Sequence, residues 1–156
     1  MPSFIGWVPT PEDHIKGFFE LASVSSSDVV YDLGSGDGRL LFAALEKGAG
    51  RAVGVELNPE LVKKARETAV SKGLDGRVTF LEADVMDVNF KDATLIFCYL
   101  ISEASAKLGP KFEAELKPGT RVVMESFAVP NWKIAQTFKI DWKEFYLYNI
   151  PPEKSL

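Results

Sequence analysis

The sequence predicts an α/β domain: a doubly wound, mostly parallel sheet that ends in an antiparallel hairpin. Two observations support this prediction. Short β-rich runs alternate with segments whose apolar residues recur at helical spacing, which is typical of βα units in a parallel sheet. The last two β-rich runs, at 135–140 and 143–150, lie only a few residues apart, which indicates a hairpin rather than another βα unit.

The size of the chain fits one domain. At 156 residues, folding removes roughly 70 % of the unfolded surface from water. The hydrophobic fraction of 46 % and the charged fraction of 26 % are ordinary globular values, which exclude disordered, collagen-like and disulfide-scaffold chains. We therefore expect a single domain over 1–156, in which 1–25 form an N-terminal segment and helix.

The charge balance argues against nucleic acid as a partner. Eighteen Lys and Arg residues oppose 22 Asp and Glu residues, giving a formal charge of −4. Binding to a phosphate backbone normally requires clustered cationic residues on a basic domain. We therefore expect no stable nucleic-acid binding, whereas cationic substrate segments remain compatible with this charge.

Cysteine usage and the N-terminus predict a cytoplasmic protein. The only cysteine, Cys98, excludes an intramolecular disulfide and a thiolate metal cage, so a reducing compartment and no metal centre are expected. Residues 1–7 contain no basic region followed by an apolar stretch, and the longest apolar run, 93–101, is too short to span a bilayer. We therefore expect no membrane insertion.

The first helix is predicted from its start signals and its apolar spacing. Thr10 can cap free backbone N–H groups, and Pro11 suits the first helical position. The helix is expected to end near Ser25. Four residues at helical spacing form its buried face: Ile15, Phe18, Phe19 and Ala22.

Five strands and three further helices follow in alternation. The strands are predicted at 29–33, 51–56, 77–81, 93–98 and 120–125. A glycine turn at 34–38 leads into a helix that ends near Gly48, and the next helix runs from Asn58 to a C-cap near Gly73. The last helix, 102–116, is expected to break or kink near Gly109 and Pro110, because proline lacks the backbone N–H of a helix interior.

The carboxyl ends of the strands are where such a sheet binds its ligand. Gly34, Ser35 and Gly36 follow the first strand, where small residues let the backbone approach a cofactor closely. A glycine turn alone also fits a dinucleotide enzyme that holds pyrophosphate. Asp32 and Asp37 would repel a pyrophosphate but suit an ammonium or sulfonium group, although Asp37 could instead be a helix N-cap.

Two further acids stand at strand ends. Glu56 ends the second strand and can accept hydrogen bonds from both hydroxyls of a ribose, or it can be a solvated carboxylate. Asp84 follows the third strand and can accept a hydrogen bond from an adenine amino group, or it can be an ordinary turn residue.

These motifs, taken together, resemble those of class I S-adenosylmethionine-dependent methyltransferases. The motifs are YDLGSGDG at 31–38, GVELNP at 54–59 and EADV at 82–85. The segments WVPTP at 7–11 and LGPKFEAELKPGTRVV at 108–123, with Phe127 and Trp132, look more narrowly like the small archaeal and mitochondrial protein-lysine methyltransferases. The resemblance covers nearly the whole chain and implies a seven-stranded Rossmann-like methyltransferase sheet.

The resemblance also implies roles for individual residues. The glycine turn would face the methionine part of S-adenosylmethionine, Glu56 its ribose, and Asp84 with Val85 its adenine, while residues 8–10 would close over the cofactor. The predicted cofactor-binding residues are Val8, Thr10, Asp32, Gly34, Ser35, Gly36, Asp37, Glu56, Leu57, Asn58, Asp84 and Val85. The sequence departs from the archaeal pattern at 124–126, where MES replaces a Ser-His-acid stretch, so no histidine role is carried over there.

The methyl-acceptor side is predicted from aromatic residues. Tyr99, after the fourth strand, and Phe127 are the candidate catalytic residues that line the transfer channel, because aromatic faces bind an ammonium group. Trp132 is a weaker candidate, and core packing is the alternative for each of the three. Glu103 or Glu125 could orient the amine, and no general base is assigned.

Two residues with reactive side chains receive structural interpretations. His14 has no partner motif, and Cys98 is expected to be a small core residue. The CYLI run at 98–101 lacks the Asn/Asp-Pro-Pro-Tyr motif of many adenine and glutamine methyltransferases, which favours an aliphatic amine as acceptor.

The sequence therefore predicts a monomeric methyltransferase that acts on exposed lysines of proteins. A small-molecule or RNA methyltransferase is the alternative in the same class. A nicotinamide-binding oxidoreductase and a noncatalytic cofactor-binding module are alternatives from other classes.

Overall fold

The computed structural model describes residues 12–99 and 102–155, with the side chains of 102–105 left out. Thr10 and Pro11, the predicted start of the first helix, lie outside these residues. The helices are α1 (Glu12–Leu21), α2 (Arg39–Glu46), α3 (Pro59–Ser71) and α4 (Ser102–Glu115), with a 3-10 turn at Val85–Asp87. The strands are β1 (Val29–Leu33), β2 (Arg51–Glu56), β3 (Val78–Glu82), β4 (Leu95–Cys98), β5 (Arg121–Glu125), β6 (Gln136–Ile140) and β7 (Lys143–Asn149).

The strands form one seven-stranded sheet in the order β3-β2-β1-β4-β5-β7-β6. The strands β1 to β5 are parallel, and β7 is antiparallel to both β5 and β6. The predicted fold class is confirmed, including the terminal hairpin. Because the chain winds outward in both directions from β1 and β4, the carboxyl ends of these two strands lie at the switch in strand order, where such sheets bind ligands.

The hairpin returns the chain to this same edge. Since β6 runs parallel to β5, the turn between Ile140 and Lys143 lies beyond the carboxyl ends of the parallel strands. Asp141 adopts a left-handed conformation with φ of 55°, and the side chain of Trp142 is 80 % exposed. The C-terminal hairpin therefore contributes directly to the edge that carries the site.

Strand alternation divides the core between the two faces of the sheet. The cluster on one face includes Phe97, Val123 and Phe145 and is covered by α1, α2 and α3. The cluster on the other face includes residues from α4 and the C-terminal segment. Asp32 and Glu125 alternate with residues of the second cluster, so their side chains lie on the face that α1 covers.

The helix α1 packs across the sheet through aromatic contacts. The ring of Phe18 lies 4.8 Å from that of Phe97 and 5.2 Å from that of Phe145. The helix ends at Leu21, earlier than the predicted Ser25. The backbone N–H of Ser25 instead donates to Asp28 Oδ2 at 2.8 Å, because a short polar run offers the backbone turn hydrogen bonds that compete with a helix.

The helix α4 runs through Pro110, so the expected break is wrong. Proline removes one backbone hydrogen bond, but Leu108 and Phe112 on either side are fully buried. Their burial offsets the lost bond. In the described part of the chain, no helix combines the length and the apolar character that crossing a bilayer needs.

The close packing of α1 gives a test of the fold. A Cβ atom at Gly17 would overlap Cε1 of the Phe145 ring, so Gly17→Ala should force the helix away from the sheet. We expect a loss of about 1–3 kcal/mol of folding free energy, the usual cost of overpacking. Gly76→Ala is the matched control, because nothing lies within 4 Å of its added Cβ. Thermal melting of both variants tests this, and equal melting temperatures would contradict the packing described.

Candidate active site

Buried polar side chains collect at the carboxyl edge of the sheet. They come from β1, β2 and β5, from the turn after β1, from α1 and from the start of β7. These residues are Asp32, Ser35, Glu56, Glu125, His14 and Lys143. Polar groups are seldom buried without a partner, so their convergence at the ligand edge marks this place as the candidate site.

The glycine turn is fastened to the neighbouring strand. The backbone N–H groups of Gly34 and Ser35 both donate to the carbonyl of Val55, at 2.8 and 3.0 Å. Gly34 and Gly36 have φ values of 87° and 57°, which glycine adopts without strain. A Cβ at Gly54 would lie 2.6 Å from Ser35 Oγ, so this glycine in β2 lets the turn sit against the strand. Gly54 was not among the predicted site residues.

Glu56 holds two loops in place. Its Oε1 accepts from the N–H of Gly36 at 2.9 Å, and its Oε2 accepts from the N–H of Asn58 at 3.0 Å. Each carboxylate oxygen retains a further lone pair for a ligand hydroxyl. Asn58 in turn caps α3 through its side chain, which accepts from the N–H of Glu60. Leu57, between them, is exposed at the edge.

Asp32 is buried beside this network. Burial and the nearby charge of Glu56 raise the pKa of Asp32 to about 8, since both disfavour its ionised form. Ser35 Oγ has no hydrogen-bond partner within 12–99 and 102–155. The carboxyl edge of the sheet thus presents the carboxyl of Asp32 and the hydroxyl of Ser35. A cationic ligand that forms hydrogen bonds would supply partners for both groups.

Asp37 is occupied by a partner of its own. The guanidinium of Arg39 donates to both carboxylate oxygens, at 3.0 and 2.7 Å. Burial alone would raise the pKa of Asp37, but the hydrogen bonds and charge of Arg39 outweigh it and hold this pKa below its usual value. The N-cap of α2 is Gly38 rather than Asp37. The charge of Asp37 is therefore balanced by Arg39 and gives no argument against a pyrophosphate.

Asp84 and Val85 follow β3 at the far side of the edge. The Oδ1 atom of Asp84 accepts from the N–H of Met86 at 2.9 Å and caps the 3-10 turn, while its other oxygen makes no hydrogen bond within the described residues. Val85 is half-buried in the first position of that turn. Their predicted contact with adenine stays a prediction.

The predicted acceptor residues lie at the ends of β4 and β5. Tyr99 is 44 % exposed, and its ring meets the ring of His14 edge-on with centroids 5.4 Å apart. The Nδ1 atom of His14 lies 3.0 Å from Oε1 of Glu125. Sequence reasoning missed His14 because its partner stands at the end of β5, far along the chain, where no spacing rule connects the two residues.

The remaining candidates occupy three kinds of position. Phe127 is half-buried in the turn after Ser126, which has a left-handed φ of 73°. Trp132 is buried on the opposite face of the sheet, where its Nε1 donates to Glu113 Oε2 at 2.9 Å, so core packing describes it. Val8 and Thr10 lie outside the described residues, and the side chain of Glu103 is not described.

Cys98 is a core residue, in agreement with its structural interpretation. Its side chain is fully buried. Burial and the nearby Asp32 raise the pKa of its thiol far above the usual range, which keeps the sulfur protonated. A nucleophilic thiolate is therefore excluded.

Comparison with known proteins finds similar methyltransferases. A family model described as the ANTKMT methyltransferase domain matches residues 32–136. The protein-lysine N-methyltransferase of Saccharolobus islandicus (strain REY15A) is 38 % identical over 88 % of this chain and 86 % of its own length. The adenine nucleotide translocase lysine N-methyltransferase of Mus musculus is 39 % identical over 65 % of this chain and 44 % of its own length.

A solved structure is also similar over almost the full length. It is described as an RNA methyltransferase from Salinibacter ruber in complex with S-adenosyl-L-homocysteine. It is 38 % identical, with a TM-score of 0.88, and the match covers 95 % of this chain and 97 % of that chain. The similar proteins share a methyltransferase fold and differ in the acceptor that their descriptions name.

The buried carboxyl of Asp32 gives a stability test. Because its pKa is about 8 in the folded protein and its ordinary value is 3.8, the native state holds an extra proton between these values, and stability falls as the pH rises through this window. Asp32→Asn should remove that loss and raise the free energy of unfolding at pH 8 by a few kcal/mol, from about 1.4 kcal/mol per pKa unit. Little change is expected near pH 4.

Thermal melting at both pH values measures this effect. Asp75→Asn serves as the control, because Asp75 is exposed. A variant Asp32→Asn that is no more stable than the wild type at pH 8 would show that the carboxyl is not destabilised by its burial.

Proposed function

This chain belongs to the ANTKMT methyltransferase family and is an S-adenosylmethionine-dependent methyltransferase, and we propose that its acceptors are the ε-amines of lysine side chains in proteins. The observation that carries the proposal is the pairing of an accessible aromatic ring, Tyr99, with a buried carboxyl, Glu125, at the ends of adjacent strands. Lysine presents an aliphatic stem and a cationic head, which suit these two groups.

The residues at the cofactor side fit the charge of S-adenosylmethionine. This cofactor carries an ammonium and a sulfonium group and supplies an electrophilic methyl. Asp32 offers a carboxyl whose charged form is disfavoured until a cation lies nearby, and Ser35 offers a hydroxyl without a partner among the described residues. Glu56 keeps lone pairs for ribose hydroxyls while it fixes the glycine turn.

The acceptor amine must lose a proton before it can attack. With a reference pKa of about 10.4, the neutral form of lysine costs roughly 4–5 kcal/mol at pH 7. The ionised form of Glu125 attracts the ammonium, and the aromatic wall of Tyr99 removes water, which favours the neutral amine. Holding the lone pair in line with the methyl–sulfur bond supplies several further kcal/mol.

RNA methylation is the second candidate function. The description of the similar Salinibacter ruber protein as an RNA methyltransferase favours it. The formal charge of −4 opposes it, since binding to a phosphate backbone normally requires clustered cationic residues. Lysine methylation also agrees with the names of the similar archaeal and mouse proteins.

The location and the assembly state are also proposals. We propose a monomer. We propose a cytoplasmic location, because the single cysteine is buried and free.

The function is tested by labelling a cell extract. The protein is incubated with extract and S-adenosylmethionine that carries a labelled methyl group, and the products are digested separately with protease and with ribonuclease. Mass spectrometry should find the label in methyl-lysine. The Asp32→Ala variant is the control for background, since it is expected to weaken cofactor binding at least tenfold, a loss of about 1.4 kcal/mol or more. Label found only in RNA would overturn the proposal in favour of the second candidate.

Cofactor binding should release a proton. With a pKa of about 8, Asp32 is mostly protonated at pH 7, and a cationic ligand beside it favours the carboxylate. Calorimetry in buffers of different ionisation enthalpy should show release approaching one proton per cofactor bound. The affinity should rise with pH up to about 8 and then level off.

Two comparisons control this measurement. S-adenosylhomocysteine lacks the sulfonium charge and should release a smaller fraction of a proton. Asp32→Asn should release none from this site. Equal release by the wild type and this variant would assign the proton to another group.

A further inference from the structure

The pair formed by His14 and Glu125 is not explained by core packing. His14 Nδ1 and Glu125 Oε1 are 3.0 Å apart, and the two residues are 6 % and 1 % exposed. Neither atom makes a well-aligned hydrogen bond within the part of the chain that the structure describes. Leaving such groups buried is costly, and in an enzyme it is often tolerated where function requires it.

Other charged and titratable groups surround the pair from several elements. Asp32 from β1 and Tyr99 after β4 face it across the sheet edge. Lys143 from the start of β7 acts on both members and lies 3.4 Å from Asp13 of α1. The pair therefore stands between the cofactor side, marked by Asp32, and the accessible ring of Tyr99.

The surroundings determine where the proton of the pair resides. Burial lowers the pKa of His14 to about 4, with Lys143 adding to the effect and Asp13 opposing it. Burial raises the pKa of Glu125 to about 8, with Lys143 opposing this and Asp32 adding to it. These opposite shifts favour the arrangement in which the imidazole of His14 is uncharged and the carboxyl of Glu125 holds the proton.

We propose that Glu125 is the base that takes the proton from the acceptor ammonium and that His14 is its positioning residue. This inference rests on the proposed lysine methylation. The ammonium gives one proton to the Glu125 carboxylate, and the freed nitrogen lone pair forms the new N–C bond. The carbon–sulfur bond breaks with its electrons remaining on sulfur, and the methylated amine carries the positive charge. Glu125 returns its proton to water when the product leaves.

The geometry favours Glu125 over the other groups at the edge. Burial and the Glu125 carboxyl raise the pKa of Tyr99, so its hydroxyl stays protonated and its ring serves as the wall past which the acceptor enters. Asp32 lies on the cofactor side of the cluster. Lys143 Nζ lies 3.4 Å from Asp13 Oδ2 and pairs with that carboxylate. A base whose pKa lies near the working pH is the efficient one.

The pH dependence of kcat/KM separates this role from a structural one. The acceptor is a single-lysine peptide identified by extract labelling, with the cofactor saturating. If Glu125 must be ionised while the lysine remains protonated, the wild-type value rises tenfold per pH unit to about 8 and then forms a plateau. In Glu125→Gln, only the lysine titrates, so the rise continues to about 10.4.

Matched variants distinguish the base from its surroundings. Glu67→Gln, on the exposed face of α3, should keep the wild-type profile. His14→Gln should move the break in the profile, because the polar group 3.0 Å from Glu125 changes. Glu125→Asp keeps a carboxyl and should retain a break with a lower rate. If Glu125→Gln does not fold, the Glu125→Asp variant still tests the role of this carboxyl.

A spectroscopic measurement gives a readout that does not depend on activity. His14 is the only histidine in the sequence, so the imidazole ¹⁵N signals come from a single residue. We expect the protonated Glu125 carboxyl to face an unprotonated Nδ1 below about pH 8 and the carboxylate to face Nδ1–H above it, so the ring should change tautomer near pH 8. Glu125→Gln should abolish this step.

The outcomes separate two failures. Methyl-lysine formation with an unbroken wild-type profile, or with the same break in Glu125→Gln, would overturn the role of Glu125 and leave lysine methylation intact. The absence of methyl-lysine with any protein or peptide would overturn the proposed function and this role with it.

Discussion

The burial of carboxyl groups at the strand ends is the constraint on which the site depends. Removing a carboxylate from water costs several kcal/mol unless a cation or hydrogen-bond donors compensate it. Glu56 receives two backbone N–H groups and so organises the glycine turn, while Asp32 receives no comparable compensation from the described residues and stays protonated near neutral pH. The packed aromatic core beneath α1 contributes folding free energy that offsets this cost.

The local patterns were sufficient for the fold. Short β-rich runs, the glycine turn and the hairpin are set by residues close in sequence, and so is the cap that Asn58 places on α3. The role of Asp37 was harder to predict from the sequence, because its carboxylate pairs with the guanidinium of Arg39. Pro110 was misjudged because the burial of its neighbours, a tertiary effect, outweighed its local preference.

The acceptor side was less predictable, for a physical reason. Tyr99 was placed correctly at the end of β4, but the partner of Glu125 comes from α1 and depends on how that helix crosses the sheet. The sequence lacks a histidine in the segment after β5, and an imidazole arrives there from the other end of the chain. A contact between residues so far apart in the chain leaves no local sequence pattern, so only the folded structure reveals it.

The strand order also affects how the site is assembled during synthesis. The strands β1 to β3, which carry the predicted cofactor-binding residues, are consecutive in the chain and are neighbours in the sheet. The strand β7, in contrast, must insert between β5 and β6, so β6 has no partner in the sheet until nearly the whole chain is available. A domain generally folds as a unit, so the sheet is completed only when β7 is available. The predicted acceptor residue Glu125 of β5 and its neighbour Lys143 of β7 therefore come together only when nearly the whole chain has been made.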